Sequence, residues 1–260
     1  MVEVDVLSIE GKAKSKIALP AIFDLEIRPE LIQRAVVAEN TMALQPQGHF
    51  LLAGMQTTAR YYGRMNSYRT GRHMGQAIRP RQKLGGGVQG KVRRIPSSTK
   101  GKRAHPHLIE KTMVEQINKK EYQRALASAI SATAGTKDHQ PKPIIVSDDI
   151  ESIKKTKEML KIFTSLKLGE EIEESSNKIK IRKGLRRSSK QKHYKKSVLL
   201  VISKNGDALK AAGNIAGVDA CTISNITANL LAPGGVPGRT TVWSEEAIKN
   251  IEDSIKKQRL

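Results

Sequence analysis

Six arginines stand at Arg60, Arg64, Arg69, Arg72, Arg79 and Arg81, two to seven residues apart, with Tyr61, Tyr62, Tyr68 and several glycines among them. A guanidinium presents a planar fork of N–H donors that matches phosphate oxygens and stacks on bases. Tyrosine rings stack on unpaired bases, and glycine lets a backbone approach a nucleic acid closely. The chemistry open to this set is recognition of a polyanion. The surrounding stretch from Gly54 to Arg103 contains no aspartate or glutamate, and adds Lys83, Lys91, Arg93, Arg94, Lys100, Lys102 and Arg103. A solvated basic linker is the bland alternative. Linkers seldom combine a preference for arginine, interleaved tyrosines and complete exclusion of acids over such a length, so binding is the favoured reading.

A second acid-free strip, KIKIRKGLRRSSKQKHYKK, runs from Lys178 to Lys196 and holds 10 basic residues. Lys180, Arg182, Lys183, Arg186, Arg187, Lys190 and Lys192 are its candidate phosphate contacts. A nuclear-localisation tract has similar composition. The strip lies directly before an apolar run, which favours a surface loop gripping the same polyanion as the first segment.

The remaining chemistry-bearing residues support less. His49, His73, His105 and His107 lie in or beside the first basic segment, but the His-Pro-His at 105–107 has no cysteine beside it to complete a metal shell, so no metal site is expected. Ser147-Asp148-Asp149 follows an apolar run, where an α/β enzyme often places catalytic or magnesium-binding carboxylates. The favoured reading is that they cap the next helix and complement its dipole, as Ser244, Glu245 and Glu246 do for the last one. Gly213–Gly217 follows a helix and lacks both dinucleotide and P-loop spacing. The single cysteine, Cys221, has no base placed around it and reads as a small buried residue. No residues support a catalytic reading, and no cofactor is expected.

The elements that must position these residues show in the apolar pattern. Val2, Val4 and Val6 alternate with Glu3 and Asp5 as in a half-buried strand. Pro29 suits the first turn of a helix with Leu31, Ile32, Ala35 and Val36 on one face, ending near Asn40. After His107, one helical stripe (Leu108, Ile109, Met113, Ile117) precedes a second (Tyr122, Ala125, Leu126, Ala129, Ile130), which Gly135 stops. The runs Pro143–Val146 and Val198–Ile202 then alternate with a helix through Ile153, Met159, Leu160 and Phe163 and a short one at Ala208–Ala212. Val218–Thr222, Thr240–Trp243 and a closing helix from Ser244 to about Lys257 complete the pattern.

Short apolar runs alternating with helices are what a parallel sheet covered on both faces requires. The expected fold is therefore α/β, a mostly parallel sheet flanked by helices in a Rossmann-like three-layer domain made of residues 1–40 and 107–260. Residues 41–106 are a long extended basic loop inserted into it. Ordering a residue costs about 1 to 2 kcal/mol of backbone entropy, which a segment this poor in large apolar side chains cannot recover by burying itself. It should become ordered only against something dense in negative charge.

Charge distribution leads to the same conclusion. The 260 residues carry 46 Lys+Arg against 25 Asp+Glu, a net +21, with a pI near 10.1. Thirteen basic residues lie between Asn40 and Ile109 and ten in the second strip; without them 23 basic residues face 25 acidic ones. The basicity is localised equipment, pointing to nucleic acid or an anionic membrane surface. No apolar run approaches the ~20 residues of a membrane helix, and the acidic, strand-like N-terminus lacks the pattern of a signal peptide. A single cysteine fits a reducing compartment, so a cytoplasmic protein without membrane partners is expected.

Val92-Arg93-Arg94-Ile95-Pro96, Lys100-Gly101-Lys102-Arg103-Ala104-His105-Pro106, Val146-Ser147-Asp148-Asp149, Asn229-Leu230-Leu231-Ala232-Pro233-Gly234-Gly235 and Pro237-Gly238-Arg239 occur in order along the chain. Together they resemble the large-subunit ribosomal protein four family in its archaeal and eukaryotic branch, over essentially the whole chain. The resemblance implies a structural constituent of the large subunit. Its globular domain would sit on the solvent side, and a long loop would thread between rRNA helices and support early assembly. The implied partners are large-subunit rRNA, neighbouring large-subunit ribosomal proteins and, at the loop tip, the nascent peptide in the exit tunnel. The tip corresponds to Arg69, Thr70, Gly71, Arg72 and His73, followed by Met74 and Gly75. Two readings from other classes remain beside it: an RNA-modifying enzyme that would need S-adenosylmethionine or a nucleotide, and a free regulator binding an mRNA that resembles its rRNA site.

Overall fold

The computed structural model describes residues 3–61, 63, 75–135, 143–181 and 192–257. The chain divides into two compact units, one formed by Met1–Ala43 with Val114–Leu260 and the other by Leu44–Met113.

The first unit is built on a six-stranded sheet. Its strands are β1 (Glu3–Leu7), β2 (Ala13–Ala18), β5 (Ile144–Val146), β8 (Leu199–Ile202), β9 (Asp219–Thr222) and β10 (Thr241–Ser244), in the spatial order β2-β1-β5-β10-β8-β9. Every neighbouring pair is parallel except β1 with β2, which is antiparallel. The sequence shows why the middle strands lie there: every residue of β8 and β10 is buried, and Leu-Leu-Val-Ile has no polar side to offer water. The antiparallel edge β2 reads AKSKIA, and its exposed Lys14 and Lys16 discourage pairing with another strand.

Register aligns side chains into rows. Val6 pairs with Ile145, Ile145 with Trp243, Trp243 with Val201 and Val201 with Cys221, so one row crosses five strands and enters a single core. On that face pack α1 (Pro29–Met42), α2 (Lys119–Thr133), α6 (Ala228–Leu231), α7 (Glu245–Lys249) and α8 (Ile251–Lys257). Phe23 meets Trp243 edge-on, with ring centroids 5.9 Å apart at 86°. The opposite face, with Val146, Leu200, Ile202 and Val242, packs against α3 (Thr156–Ser165), α4 (Gly169–Asn177) and α5 (Asp207–Gly213). Helices therefore cover both faces of a mostly parallel sheet, as the alternating apolar runs led us to expect.

Several boundaries differ from expectation. Leu108–Ile117 is not a helix: Leu108 and Ile109 are exposed, and the Glu115 N–H bonds Thr41 Oγ1 at 3.1 Å, outside any helical ladder. The helix expected from Ile153 is a 3-10 turn at Asp148–Ser152 followed by α3. The closing helix breaks at Asn250 into α7 and α8, and Ser244 ends β10 while its hydroxyl accepts from the Ala247 N–H at 3.3 Å. The strand β2 and the helix α4 were not anticipated, because lysine-rich AKSKIA and GEEIEESSN show too little apolar periodicity. The second unit also holds regular structure where none was expected: β3 (Arg81–Lys83) and β4 (Gln89–Val92) pair antiparallel.

Candidate nucleic-acid interface

The hairpin β3–β4 turns through Gly85-Gly86-Gly87, where Gly86 has φ of 73° and the Leu84 N–H bonds the Val88 carbonyl at 3.2 Å. A left-handed residue costs glycine nothing and an L-residue about 1–2 kcal/mol, so this glycine run fits a tight reversal between two basic strands. Arg60 joins the ribbon as an isolated bridge: its N–H bonds the Arg81 carbonyl at 3.1 Å, and the Arg81 N–H returns to Arg60 at 3.2 Å. The Arg93 N–H bonds the Pro80 carbonyl at 3.0 Å. Backbone pairing thus gathers Arg60, Arg81 and Arg93, which are far apart in sequence.

The segment after β4 is a compact double turn. Ser98 N–H bonds the Ile95 carbonyl at 3.2 Å and Gly101 N–H bonds that of Ser98 at 3.0 Å. Gly54 has φ of 76°, and a Cβ there would run into the Gly101 carbonyl; one on Gly101 would run into that of Ile95. Only glycine allows these approaches. Arg94 and Lys100 take positive φ of 66° and 57°, which costs a non-glycine residue about 1–3 kcal/mol and persists where the surroundings hold it.

The basic side chains here use protein partners sparingly. Arg93 Nη1 donates to the Thr99 carbonyl, Arg94 Nη2 to that of Thr57 at 3.3 Å and Arg81 Nη2 to that of Ala77 at 3.3 Å. Arg103 Nη2 lies 3.5 Å from His107 Nε2, while the His107 carbonyl accepts from the His49 N–H at 2.9 Å. Each carbonyl contact fixes a guanidinium but leaves most of its donors and all of its charge uncompensated. Among the described residues, every ion pair lies in the first unit, and none involves Arg60, Arg79, Arg81, Lys83, Lys91, Arg93, Arg94, Lys100, Lys102 or Arg103. A cluster of cations without counter-charges is an anion-binding surface. Arg64 and the expected tip, Arg69, Thr70, Gly71, Arg72 and His73, lie outside the described residues.

The described ends of the second strip pair as a short ribbon. Ile179–Ile181 (β6) pairs antiparallel with Lys192–Tyr194 (β7), setting Lys180 opposite His193 and Ile181 opposite Lys192, all exposed. Its base is tied to the domain by ion pairs of Lys178 and Lys195 with Glu174 and of Lys196 with Asp219 at 2.6 Å. The Lys178 and Lys195 hydrogen bonds hold the Glu174 carboxyl below its ordinary value. The sequence alone gave no hint of this division, in which the flanking lysines anchor while Lys180 and Lys192 face water. Arg182, Lys183, Arg186, Arg187 and Lys190 lie outside the described residues.

The carboxylates weighed for chemistry are structural. Asp148 Oδ1 accepts from the Glu246 N–H at 2.9 Å, so it caps α7 across the fold in place of the helix that follows it. Asp149 Oδ2 accepts from Ser147 Oγ at 3.0 Å. No group of three His, Cys, Asp or Glu among the described residues is placed to hold a metal. Burial pushes the Cys221 thiol up to about 12, with Arg239 opposing and Asp219 reinforcing the shift.

Two structural centres escaped sequence reasoning. Glu39 accepts from Tyr122 Oη at 2.7 Å and from the N–H groups of Ala228 and Asn229 at 2.8 and 2.9 Å, fastening α1, α2 and α6 together. Burial, with the hydrogen bond and charge of Glu39, pushes the Tyr122 phenol well above its usual value. Arg239 is buried, and nothing in its Pro-Gly-Arg setting separates it from the surface arginines.

Comparison with known proteins gives the chain its class. The model of the ribosomal protein L4/L1 family matches residues 17–254. Large ribosomal subunit protein uL4 of Methanococcus maripaludis is 38% identical over 259 residues, covering 95% of this chain and 98% of its own length. The same protein from Methanocaldococcus jannaschii is 35% identical, covering 95% and 97%, and that of Methanoculleus marisnigri 36%, covering 96% and 99%. The chain belongs to the ribosomal protein L4/L1 family. That family is structural and not enzymatic, which sets aside the RNA-modifying alternative.

Proposed function

We propose that this protein is a cytoplasmic structural constituent of the large ribosomal subunit, bound to large-subunit rRNA and to neighbouring ribosomal proteins. The observation that carries the reading is the set of cations in Leu44–Met113 that have no carboxylate partner among the described residues, while every ion pair found among those residues lies in the first unit. Close-packed rRNA phosphates would repel a carboxylate from every side, whereas arginine neutralises them and lets helices approach.

In detail, residues 1–40 and 107–260 act as a discontinuous, Rossmann-like three-layer domain, and residues 41–106 as a loop that penetrates the rRNA and supports early assembly. Arg60, Arg64, Arg69, Arg72, Arg79, Arg81, Lys83, Lys91, Arg93, Arg94, Lys100, Lys102 and Arg103 bind rRNA phosphates there. Lys180, Arg182, Lys183, Arg186, Arg187, Lys190 and Lys192 form a second grip. Arg69–His73 lines the exit tunnel and meets the nascent peptide. No metal or cofactor takes part. Among the described residues no helix is long and apolar enough to cross a membrane.

The test is RNA crosslinking in cell lysate with sequencing of the bound RNA and sedimentation of the complex. Large-subunit rRNA in ribosomal fractions, crosslinked mainly through residues 54–103, is the expected result. Free protein on scattered RNAs would overturn it.

A further inference from the structure

A groove of about 700 Å³ opens on the first unit between the segment before α1 and the outer face of α2. Leu25, Leu31 and Ala127 give it apolar walls, and Leu25 is 48% exposed within it. The groove is held open by two serines of α2. Ser131 Oγ donates to the Leu25 carbonyl at 2.6 Å, while Ser128 Oγ accepts from the Arg28 N–H at 2.7 Å and donates to the Glu26 carbonyl at 3.2 Å. Hydroxyls on a helix thus fix the opposing wall, so the cleft exists before any partner arrives, and binding loses little to ordering it.

The charges around the groove are uneven. Its one carboxylate, Glu26, is taken by Arg28, whose Nε and Nη2 donate to Glu26 Oε2 at 3.1 and 3.0 Å. Lys120 and Arg124, one helical turn apart on α2, are exposed and make no ion pair among the described residues. An apolar cleft with two uncompensated cations fits an apolar side chain carried between carboxylates. Single-stranded RNA is held by aromatic or guanidinium platforms and by dense cations. Here the walls are aliphatic with no aromatic ring among them, and one free guanidinium, Arg124, beside one ammonium, Lys120, is too sparse a set to follow a phosphate chain, so the chemistry favours a protein over a nucleotide.

We infer that this groove docks a leucine-, isoleucine- or phenylalanine-bearing acidic segment of a neighbouring protein. The inference rests on the assembly reading above, since such a partner is met within the subunit.

It is tested with the full chain carrying a photo-crosslinking phenylalanine analogue at Leu25, incorporated into large subunits and isolated by sedimentation. The expected adduct is a protein peptide with an apolar residue flanked by Asp or Glu. Its yield should fall on the order of tenfold in the Lys120→Glu/Arg124→Glu background, as expected when two rim attractions become repulsions. A second probe position at Ala127 guards against loss of folding at the first. Adducts to rRNA, adducts to a peptide without that pattern, or no adduct from subunits that do contain the chain would overturn the docking inference alone. Absence of the chain from large subunits would overturn the assembly reading with it.

Discussion

Buried Arg239 and partly buried Asp219 form an ion pair at 2.7 Å that clasps three parts of the first unit. The guanidinium is 3% exposed; its Nε donates to the Ser197 carbonyl at 2.6 Å, Nη1 to Leu230 at 2.8 Å and Nη2 to Val198 at 3.2 Å. One arginine therefore satisfies the carbonyls leading into β8 and one from α6, while its charge is met by the first residue of β9. Lys196 completes the cluster on Asp219.

Removing one partner of such a pair leaves a buried charge unmet, so Asp219→Asn should cost about 3 kcal/mol or more of unfolding free energy. Arg239→Lys should lose a comparable amount, because an ammonium cannot reach several carbonyls and a carboxylate in one plane. Urea denaturation followed by circular dichroism measures both. A loss under 1 kcal/mol for either would show the pair to be energetically idle.

The same pair gives a pH dependence. Burial opposes ionisation of Asp219, but the hydrogen bonds and charges of Lys196 and Arg239 outweigh it and hold the carboxyl below its ordinary value. A depressed folded-state value contributes stability that is complete above the unfolded value of about 4 and disappears as pH falls through the folded one. The stability gap between wild type and Asp219→Asn should be flat from pH 7 to about 5 and shrink below about 4. A gap that widens on acidification would reverse the assignment.

Glu39 should behave as a shared cap. Glu39→Gln removes the charge that accepts from two α6 amides and from Tyr122 Oη, and should cost about 2 kcal/mol; Tyr122→Phe should cost about 1. The double variant should fall short of their sum, since both act on one bond, and denaturant titration of the four-member cycle reads that shortfall.

With its thiol pushed up to about 12 by burial, Cys221 should resist iodoacetamide at pH 8 in the native chain and react once urea unfolds it. Mass spectrometry of the two samples checks this. Rapid native labelling would place Cys221 nearer the surface than its 7% exposure allows.

For the interface, Arg93→Glu/Arg94→Glu should block incorporation into large subunits while leaving the melting of the first unit unchanged, because neither residue belongs to its cores. Neutral Gln variants should bind an rRNA fragment more weakly and flatten the salt dependence by about two units of slope, one per phosphate contact. Normal incorporation with a large loss of melting temperature would make these arginines structural.

Much of this could be read along the chain. Leu199–Ile202 is buried on both sides because nothing in it suits water, and Thr241–Ser244 beside it is buried with its hydroxyls hydrogen-bonded, so a central parallel sheet was legible from the apolar run. The exclusion of acids from Gly54–Arg103 was likewise legible along the chain, since charge sign is a property of composition. Tertiary structure alone decided which cations are met by a carboxylate and which are left without a counter-charge. Arg239 and Arg93 look alike in sequence, yet one is enclosed by carbonyls and Asp219 while the other's guanidinium, among the described residues, bonds the Thr99 carbonyl and no carboxylate. Asp148 could be seen as a cap, but not as the cap of a helix 98 residues away. A hydrogen bond depends on where two backbones meet in space. Local propensity determines the elements, and long-range packing determines their partners.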